Sequence, residues 1–236
     1  MTYMEFVHNI FKNRLFLLSS SIDPLIQLYC RSGHEMENLA LSNYEDKVRS
    51  IFVPRSSDVV VDVGAHIGEY TVPIARKALK VIAIEPNPGV SAILQKNIDI
   101  NGLSNVLIVN KAVYDSRGHQ RMNIFGDRSG MSSMVLEYEN KSETIEVATD
   151  TLDNILYDLH IDRVEWLKID VEGAEVCVLK GAKRTIASNL EHIKFIIESH
   201  GDENATIIKT MLANEFKLNL EMLDTNHIFA YTKGAI

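Results

Sequence analysis

The chain has 236 residues, 46% of them apolar, and carries a formal net charge of −8. That composition is enough to bury one large core, so the chain is expected to fold unaided as one domain with a short extension. The acidic balance disfavours a dedicated nucleic-acid binder, which would present a basic face, although a local patch could hide in the total.

Cys30 and Cys177 are far apart and match no metal-ligand spacing, so both read as core packing in a reducing compartment. No apolar run is long enough to span a bilayer, and the amino terminus lacks a charged start followed by an apolar segment. A cytoplasmic location without a membrane span is therefore expected.

Residues 1–57 read as a helical extension. Phe6, Ile10, Leu17 and Leu18 recur near helical spacing, Asp23-Pro24 suits a helix start, and Ser42–Phe52 reads as a helix that Pro54 stops. Residues 58–236 read as the main domain. Val59–Val63 is a β-branched run ending at a glycine, as expected of a strand buried on both faces. A helix over Thr71–Ala78 follows, starting late because of Pro73. A strand over Lys80–Ile84, a helix over Gly89–Asn101 and a strand over Val106–Asn110 come next.

Gln120–Phe125 and Thr144–Ala148 read as short strands of a hairpin-like insertion. Leu152–Leu159 is predicted helical, capped by Thr151 or Asp150. Then come a strand over Trp166–Ile169, a helix over Ala174–Gly181, a strand over Ile193–Ile197 and a helix over Ala205–Asn214. Leu218–Met222 and Ile228–Thr232 are placed as an antiparallel pair closing the sheet. Strands alternating with helices predict an α/β fold with a mainly parallel sheet and helices on both faces.

Three stretches carry chemistry. In the first, Asp62 ends a strand and is followed by Gly64, Ala65, His66, Ile67 and Gly68. Glycine lets the backbone approach a ligand, and the free N–H groups beyond suit an anion. The spacing of Gly64 and Gly68 is not the dinucleotide pattern G-x-G-x-x-G. In the second, Glu85 and Pro86 end the next strand, where an acid accepts hydrogen bonds from ribose hydroxyls. The third is Trp166-Leu167-Lys168-Ile169-Asp170-Val171-Glu172-Gly173-Ala174-Glu175, which sets acids at the end of a central strand. Asp170 or Glu172 could equally cap the helix that follows.

D-V-G-A-H-I-G, A-I-E-P-N-P, N-G-L-S-N-V leading to K-A-V-Y-D, T-L-D and W-L-K-I-D-V-E-G-A-E occur in one order over residues 40–200. In that order they resemble the FkbM family of methyltransferases. The resemblance implies a Rossmann-like class I methyltransferase fold with a seven-stranded sheet and S-adenosyl-L-methionine as cofactor. Asp62, Gly64, Ala65, His66 and Gly68 would line its methionine and ribose portions. Glu85 and Pro86 would hold the ribose, Ala112 and Val113 would border the adenine, and Asp170 would sit near the methyl group. His66 stands where the family often has Asn; it could donate to the cofactor carboxylate or face solvent. Tyr44 and Glu45 resemble a pair that closes over the cofactor. Gly130–Met134, with Ser132 and Ser133, resembles a loop bordering the substrate.

The implied reaction is O-methylation of a small-molecule or glycan hydroxyl, with no nucleic-acid partner. Candidate bases are Asp170, Glu172, Glu198 and His200, the last because it titrates near neutral pH. His200 could instead be a surface histidine. Asp170, Glu198 and His200 could gather a divalent metal, but their spacing is no recognised ligand pattern, and no metal is expected. Two other readings remain at this point: a nicotinamide-dependent oxidoreductase and a non-catalytic cofactor-binding module.

Overall fold

The computed structural model describes residues 15–20, 23–31, 35, 45–124, 132–135 and 143–234. In chain order the elements are β1 (Leu15–Ser19), β2 (Gln27–Arg31), α1 (Asp46–Ile51), β3 (Val59–Val63), α2 (Thr71–Ala75), β4 (Lys80–Ile84), α3 (Pro88–Ile100) and β5 (Val106–Val109). The chain continues through β6 (Ala112–Val113), β7 (Gly118–Ile124), β8 (Glu143–Asp150), α4 (Leu152–Asp158), β9 (Trp166–Ile169), α5 (Glu175–Lys180) and α6 (Lys183–Asn189). It ends with β10 (Lys194–Glu198), α7 (Asp202–Thr210) running into a π-helical turn over Met211–Glu215, β11 (Asn219–Met222) and β12 (His227–Tyr231).

The main sheet has seven strands in the order β11-β12-β10-β9-β3-β4-β5, and only β12 runs against the others. Its central strands are apolar but for the buried Asp62 of β3 and Lys168 of β9 and the charged ends of β4 and β10, because both faces are covered. Val61, Val63, Ile82, Ile84, Leu167, Ile169 and Phe195 pack on one face against Leu152 and Ile155 of α4, Val178 of α5, Ile186 of α6 and Ile208 of α7. Val60, Val81, Trp166 and Ile196 alternate onto the other face, against Val48 of α1 and Ile74 of α2. The order reverses between β3 and β9, so a crevice opens beyond the carboxyl ends of these strands, where open α/β sheets hold ligands.

The hairpin expected in the middle of the chain is a three-stranded sheet, β6-β8-β7, with β7 and β8 antiparallel and β6 parallel to the end of β8. Thr151 caps α4, its hydroxyl accepting from the N–H of Asn154 at 3.1 Å. The helix α6 was not anticipated from the sequence.

The amino-terminal reading needs correction. Leu15–Ser19 and Gln27–Arg31 are paired antiparallel strands, not helix. Phe6, Ile10 and Ser42–Tyr44 lie outside the described residues, while α1 falls within the helix expected over 42–52. Asp23-Pro24 forms a turn: Asp23 Oδ1 accepts from the N–H of Leu25 at 3.0 Å and its carbonyl from that of Ile26 at 2.9 Å. A short apolar run is ambiguous between helix and strand, and tertiary partners decide it. Here Leu28 and Cys30 alternate inward from β2 onto Val90 and Ile93 of α3.

Asn97, fully buried on α3, fixes that docking. Its Oδ1 accepts from the N–H of Tyr29 at 2.6 Å, and its Nδ2 donates to the carbonyls of Tyr29 at 3.0 Å and Ile67 at 2.7 Å. Asn97→Ala leaves these buried groups unpaired, an expected loss of about 3 kcal/mol. The thermal midpoint should then fall by about 6–12 °C. A fall of less than about 2 °C would show that apolar contacts alone hold the strand pair.

Candidate active site

The cleft lies at the carboxyl ends of β3, β4, β9 and β10, closed on one side by β6 and β7. Asp62, Gly64, Ala65, His66, Glu85, Pro86, Ala112, Val113, Asp170 and Glu172 all line it, as do Glu45, Ser132 and Glu198. Gly68 and His200 are not among the lining residues. Tyr44, Gly130 and Met131 lie outside the described residues.

The two glycines also answer to the protein around them. Gly64 has φ +83°, and a Cβ there would stand 1.8 Å from the carbonyl oxygen of Asp170. It lets β3 turn against the end of β9, so the close approach is to protein backbone. Gly68 has φ +98°, and its added Cβ would meet Leu94 Cδ1 of α3 at 2.8 Å. Its role is packing of the turn onto α3.

Asp62 is 1% exposed and accepts from Thr71 Oγ1 at 2.6 Å, while its Oδ1 has no hydrogen-bond partner. The closest cation is Lys168 Nζ, 3.9 Å from that oxygen and 3.1 Å from Asp170 Oδ2. Register places Lys168 beside Asp62 across the β3–β9 pair. Burial raises the pKa of Asp62 further than Lys168 and Thr71 lower it. For Lys168 the order is reversed: burial lowers it, but Asp170 and Asp62 prevail and hold it raised. Burial also pushes Asp170 up, and Lys168 and His200 outweigh that and hold its carboxyl low. The sequence signal for Lys168 was present, a lysine inside a buried strand two residues before Asp170, where both share a face.

Glu85 anchors the turn. Its Oε2 accepts from the N–H of His66 at 3.1 Å and its Oε1 from that of Asn87 at 2.8 Å. A carboxylate has about four lone-pair sites, so both oxygens keep capacity for a diol. Burial, opposed by His66, leaves its pKa raised.

His66 neither faces open solvent nor points at a free anion position. Its Nδ1 is 3.3 Å from Glu69 Oε2 and its Nε2 is 3.6 Å from Glu35 Oε1. Burial would lower its pKa, but the hydrogen bond and charge of Glu69, with Glu35 and Glu85, push it up to about 9. An unfolded histidine titrates near ~6.5. The folded state therefore holds a proton that the unfolded chain has lost, and this stabilisation is complete below ~6.5 and lost as pH rises through about 9. Urea midpoints measured across that window should fall in wild type and fall less in His66→Asn, which tolerates the left-handed backbone at φ 50°. Equal falls would remove His66 as the cause.

The block after β9 is a tight turn, with Glu172 at φ 51° and Gly173 at φ 100°. Neither Asp170 nor Glu172 caps α5, whose N-cap Ala174 has no side-chain cap bond. Glu175, fully buried, instead accepts from the N–H of Gly173 at 2.9 Å, from Asn204 Nδ2, and from His200 Nδ1 at 2.9 Å. His200 Nε2 then stands 3.4 Å from Glu172 Oε2 and 3.8 Å from Glu198 Oε1. Burial lowers the imidazole pKa, but Glu175 and Glu172 push it up to about 9. His200 is therefore a cation at neutral pH, correcting the expectation that it titrates there. Burial, against the pull of His200, pushes Glu172 up to about 8.

His227, which sequence reasoning missed, faces the same group. It pairs with Glu198 in the β10–β12 register, and its Nε2 lies 3.5 Å from Glu198 Oε2 and 3.8 Å from Glu45 Oε1. Glu45 also accepts from the Tyr70 hydroxyl. No local pattern signals His227, because only strand pairing brings it to β10.

Residues 62–218 match the family model described as the Methyltransferase FkbM domain. The chain belongs to the FkbM methyltransferase family. It is 30% identical over 187 residues to methyltransferase sdnD of Sordaria araneosa, covering 66% of this chain and 72% of that one. It is also 30% identical over 135 residues to a tRNA(Phe) (4-demethylwyosine(37)-C(7)) aminocarboxypropyltransferase of Methanocaldococcus jannaschii, covering 52% and 53%. Identity to the hexuronic acid methyltransferase AglP of Haloferax volcanii is 28% over 170 residues, covering 72% and 66%. Among solved structures, an FkbM methyltransferase from Methylobacillus flagellatus superposes with a TM-score of 0.53 at 20% identity, covering 75% of this chain and 44% of that one.

The cleft fits the S-adenosylmethionine of an FkbM methyltransferase. Asp62 offers a buried carboxylate oxygen without a hydrogen-bond partner for an ammonium group. Glu85 faces the cleft with spare acceptors for a ribose diol. Ala112, Val113 and Met122 give an apolar wall for an adenine. No helix among the described residues is long and apolar enough to cross a membrane.

Proposed function

We propose that this FkbM methyltransferase transfers the methyl group of S-adenosylmethionine to a hydroxyl oxygen of a small molecule or glycan. The observation that carries the proposal is the convergence of Asp62, Glu85 and Asp170 from three neighbouring strand ends onto one cleft. Asp62 would take the cofactor's ammonium, Glu85 its ribose, and the β6–β7 wall its adenine. Asp170 and Glu172 would then face the acceptor.

When bound, S-adenosylmethionine supplies an electrophilic methyl on a sulfonium centre. That methyl would pass to the acceptor oxygen as its bond to sulfur is given up, and this chain's residues would hold the two in line and take the hydroxyl proton on a carboxylate. We assign that proton to Glu172, which lines the cleft and is paired with His200, because a pKa pushed up to about 8 makes this carboxylate the stronger base once ionised. Asp170 is already held by Lys168 and would align the hydroxyl, while His200 would orient Glu172. Alignment of two bound reactants supplies about 7–11 kcal/mol, and a general base about 10²–10⁴-fold.

The acidic rim supports a hydroxyl acceptor over RNA. Glu45, Glu69 and Glu198 border the cleft, and they would repel a phosphate backbone. The test is methyl-labelled S-adenosylmethionine incubated with separate pools of glycans, small alcohols and RNA. Label in an alkali-stable methyl ether from the first two pools is the expected result. Label only in RNA, or on carbon or nitrogen, would overturn the proposal.

A further inference from the structure

We propose that Glu69 is a second anchor for the ammonium group of S-adenosylmethionine, which it shares with Asp62. Three buried side-chain atoms among the described residues lack a hydrogen-bond partner: Asp62 Oδ1, Glu69 Oε1 and Ser132 Oγ. All three residues line the same cleft. Buried polar groups are rarely left unpaired, so these atoms mark where a polar ligand is held. Ser132 belongs to the wall beside β7, next to the Asn123–Ser133 bridge. Asp62 lies at the end of β3 and Glu69 in the turn that follows, and their open atoms are both carboxylate oxygens.

Local structure brings the two acids together. Thr71 Oγ1 donates to Asp62 Oδ2 at 2.6 Å, so the chain from Glu69 to Thr71 folds back against Asp62. The ring of Tyr70, next to Glu69 in sequence, lies 4.9 Å from Lys168 Nζ, which is itself 3.9 Å from Asp62 Oδ1. Glu69 Oε2 is occupied by His66 Nδ1 at 3.3 Å, which leaves Oε1 for a ligand. Burial raises the pKa of Asp62, Lys168 and Thr71 oppose it, and the charges of Asp170 and Glu69 add to the rise. A cation bound by Asp62 and Glu69 together offsets that repulsion.

The charge balance of this end selects a cation. The basic side chains lining the cleft are already matched: Lys111 by Asp150 at 3.0 Å, Lys168 by Asp170 at 3.1 Å, and His66 by Glu69 and Glu35. An ammonium has three N–H donors and can serve one oxygen of each acid, whereas an anion would be repelled by both. The assignment rests on the reading that puts the methionine end of the cofactor at Asp62.

The experiment is calorimetric titration of the full chain with S-adenosylmethionine and, separately, with methylthioadenosine, which keeps the adenosine but lacks both the ammonium and the carboxylate. Glu69→Gln keeps the size of the side chain and an acceptor for His66 but removes the charge. It should weaken S-adenosylmethionine binding by about tenfold or more, as expected for one hydrogen bond to a charged acceptor. Methylthioadenosine affinity should stay within about twofold, which also shows that the variant folds. Decarboxylated S-adenosylmethionine, which keeps the ammonium alone, should lose at least as much as the parent. If Glu69→Gln does not fold, Glu69→Ala is read with the same three ligands. Unchanged S-adenosylmethionine affinity, an equal loss for methylthioadenosine, or a loss absent from the decarboxylated ligand would overturn the role of Glu69. Asp62→Asn tests the reading beneath it. If that variant binds S-adenosylmethionine as wild type does, the methionine end is not at Asp62, and the placement of the cofactor falls together with the role of Glu69. If only the Glu69 variants are silent, the placement stands and the second anchor alone is wrong.

Discussion

Gly64→Ala is expected to lower the stability of the chain by about 4–5 kcal/mol, among the largest effects a single substitution produces. Two costs act together. The added Cβ would stand 1.8 Å from the Asp170 carbonyl oxygen, which belongs to backbone and cannot rotate away. The left-handed φ of +83° adds strain for any residue with a Cβ. Relief requires β3 and β9 to part at their carboxyl ends, where Asp62 and Asp170 are positioned. The thermal midpoint should fall by about 8–20 °C, and cofactor binding should weaken in the fraction that folds. A midpoint within about 2 °C of wild type would mean that the strand ends move apart freely and that Gly64 does not fix the approach of β3 to β9.

The second large effect concerns affinity. Glu85→Ala should weaken S-adenosylmethionine binding by about 10²–10⁴-fold, since it removes two hydrogen bonds to a charged acceptor, each worth about 1.5–3 kcal/mol. The same change strips acceptors from the N–H groups of His66 and Asn87, so part of the loss could come from the turn. Glu85→Gln separates the causes. Its single carbonyl oxygen keeps one acceptor, so the turn should stay closer to native while affinity still falls tenfold or more. Calorimetry with NAD as control reads both. Unchanged affinity in Glu85→Gln and Glu85→Ala would detach Glu85 from the ribose.

The sequence by itself determined the order of the sheet-forming segments and most of the cleft. Val59–Val63, Lys80–Ile84 and Trp166–Ile169 were legible because a strand covered on both faces must be largely apolar, and the structure has all three at those bounds. Asp62, Glu85 and Asp170 were legible because each stands at the carboxyl end of such a run, and a parallel sheet gathers those ends on one side. What stayed hidden depended on contacts between distant residues. Leu15–Leu18 has no period of its own, and it is strand because Gln27–Arg31 pairs with it and Asn97 holds that partner. Gly64 lines the cleft, but its close approach to the Asp170 backbone could not be read from the local sequence. His200 carries no local sign that a fully buried Glu175 holds it, and His227 none that it will pair with Glu198. Strand propensity and burial pattern are properties of a short window of chain, whereas the electrostatics of a histidine belong to the carboxylates that folding brings beside it.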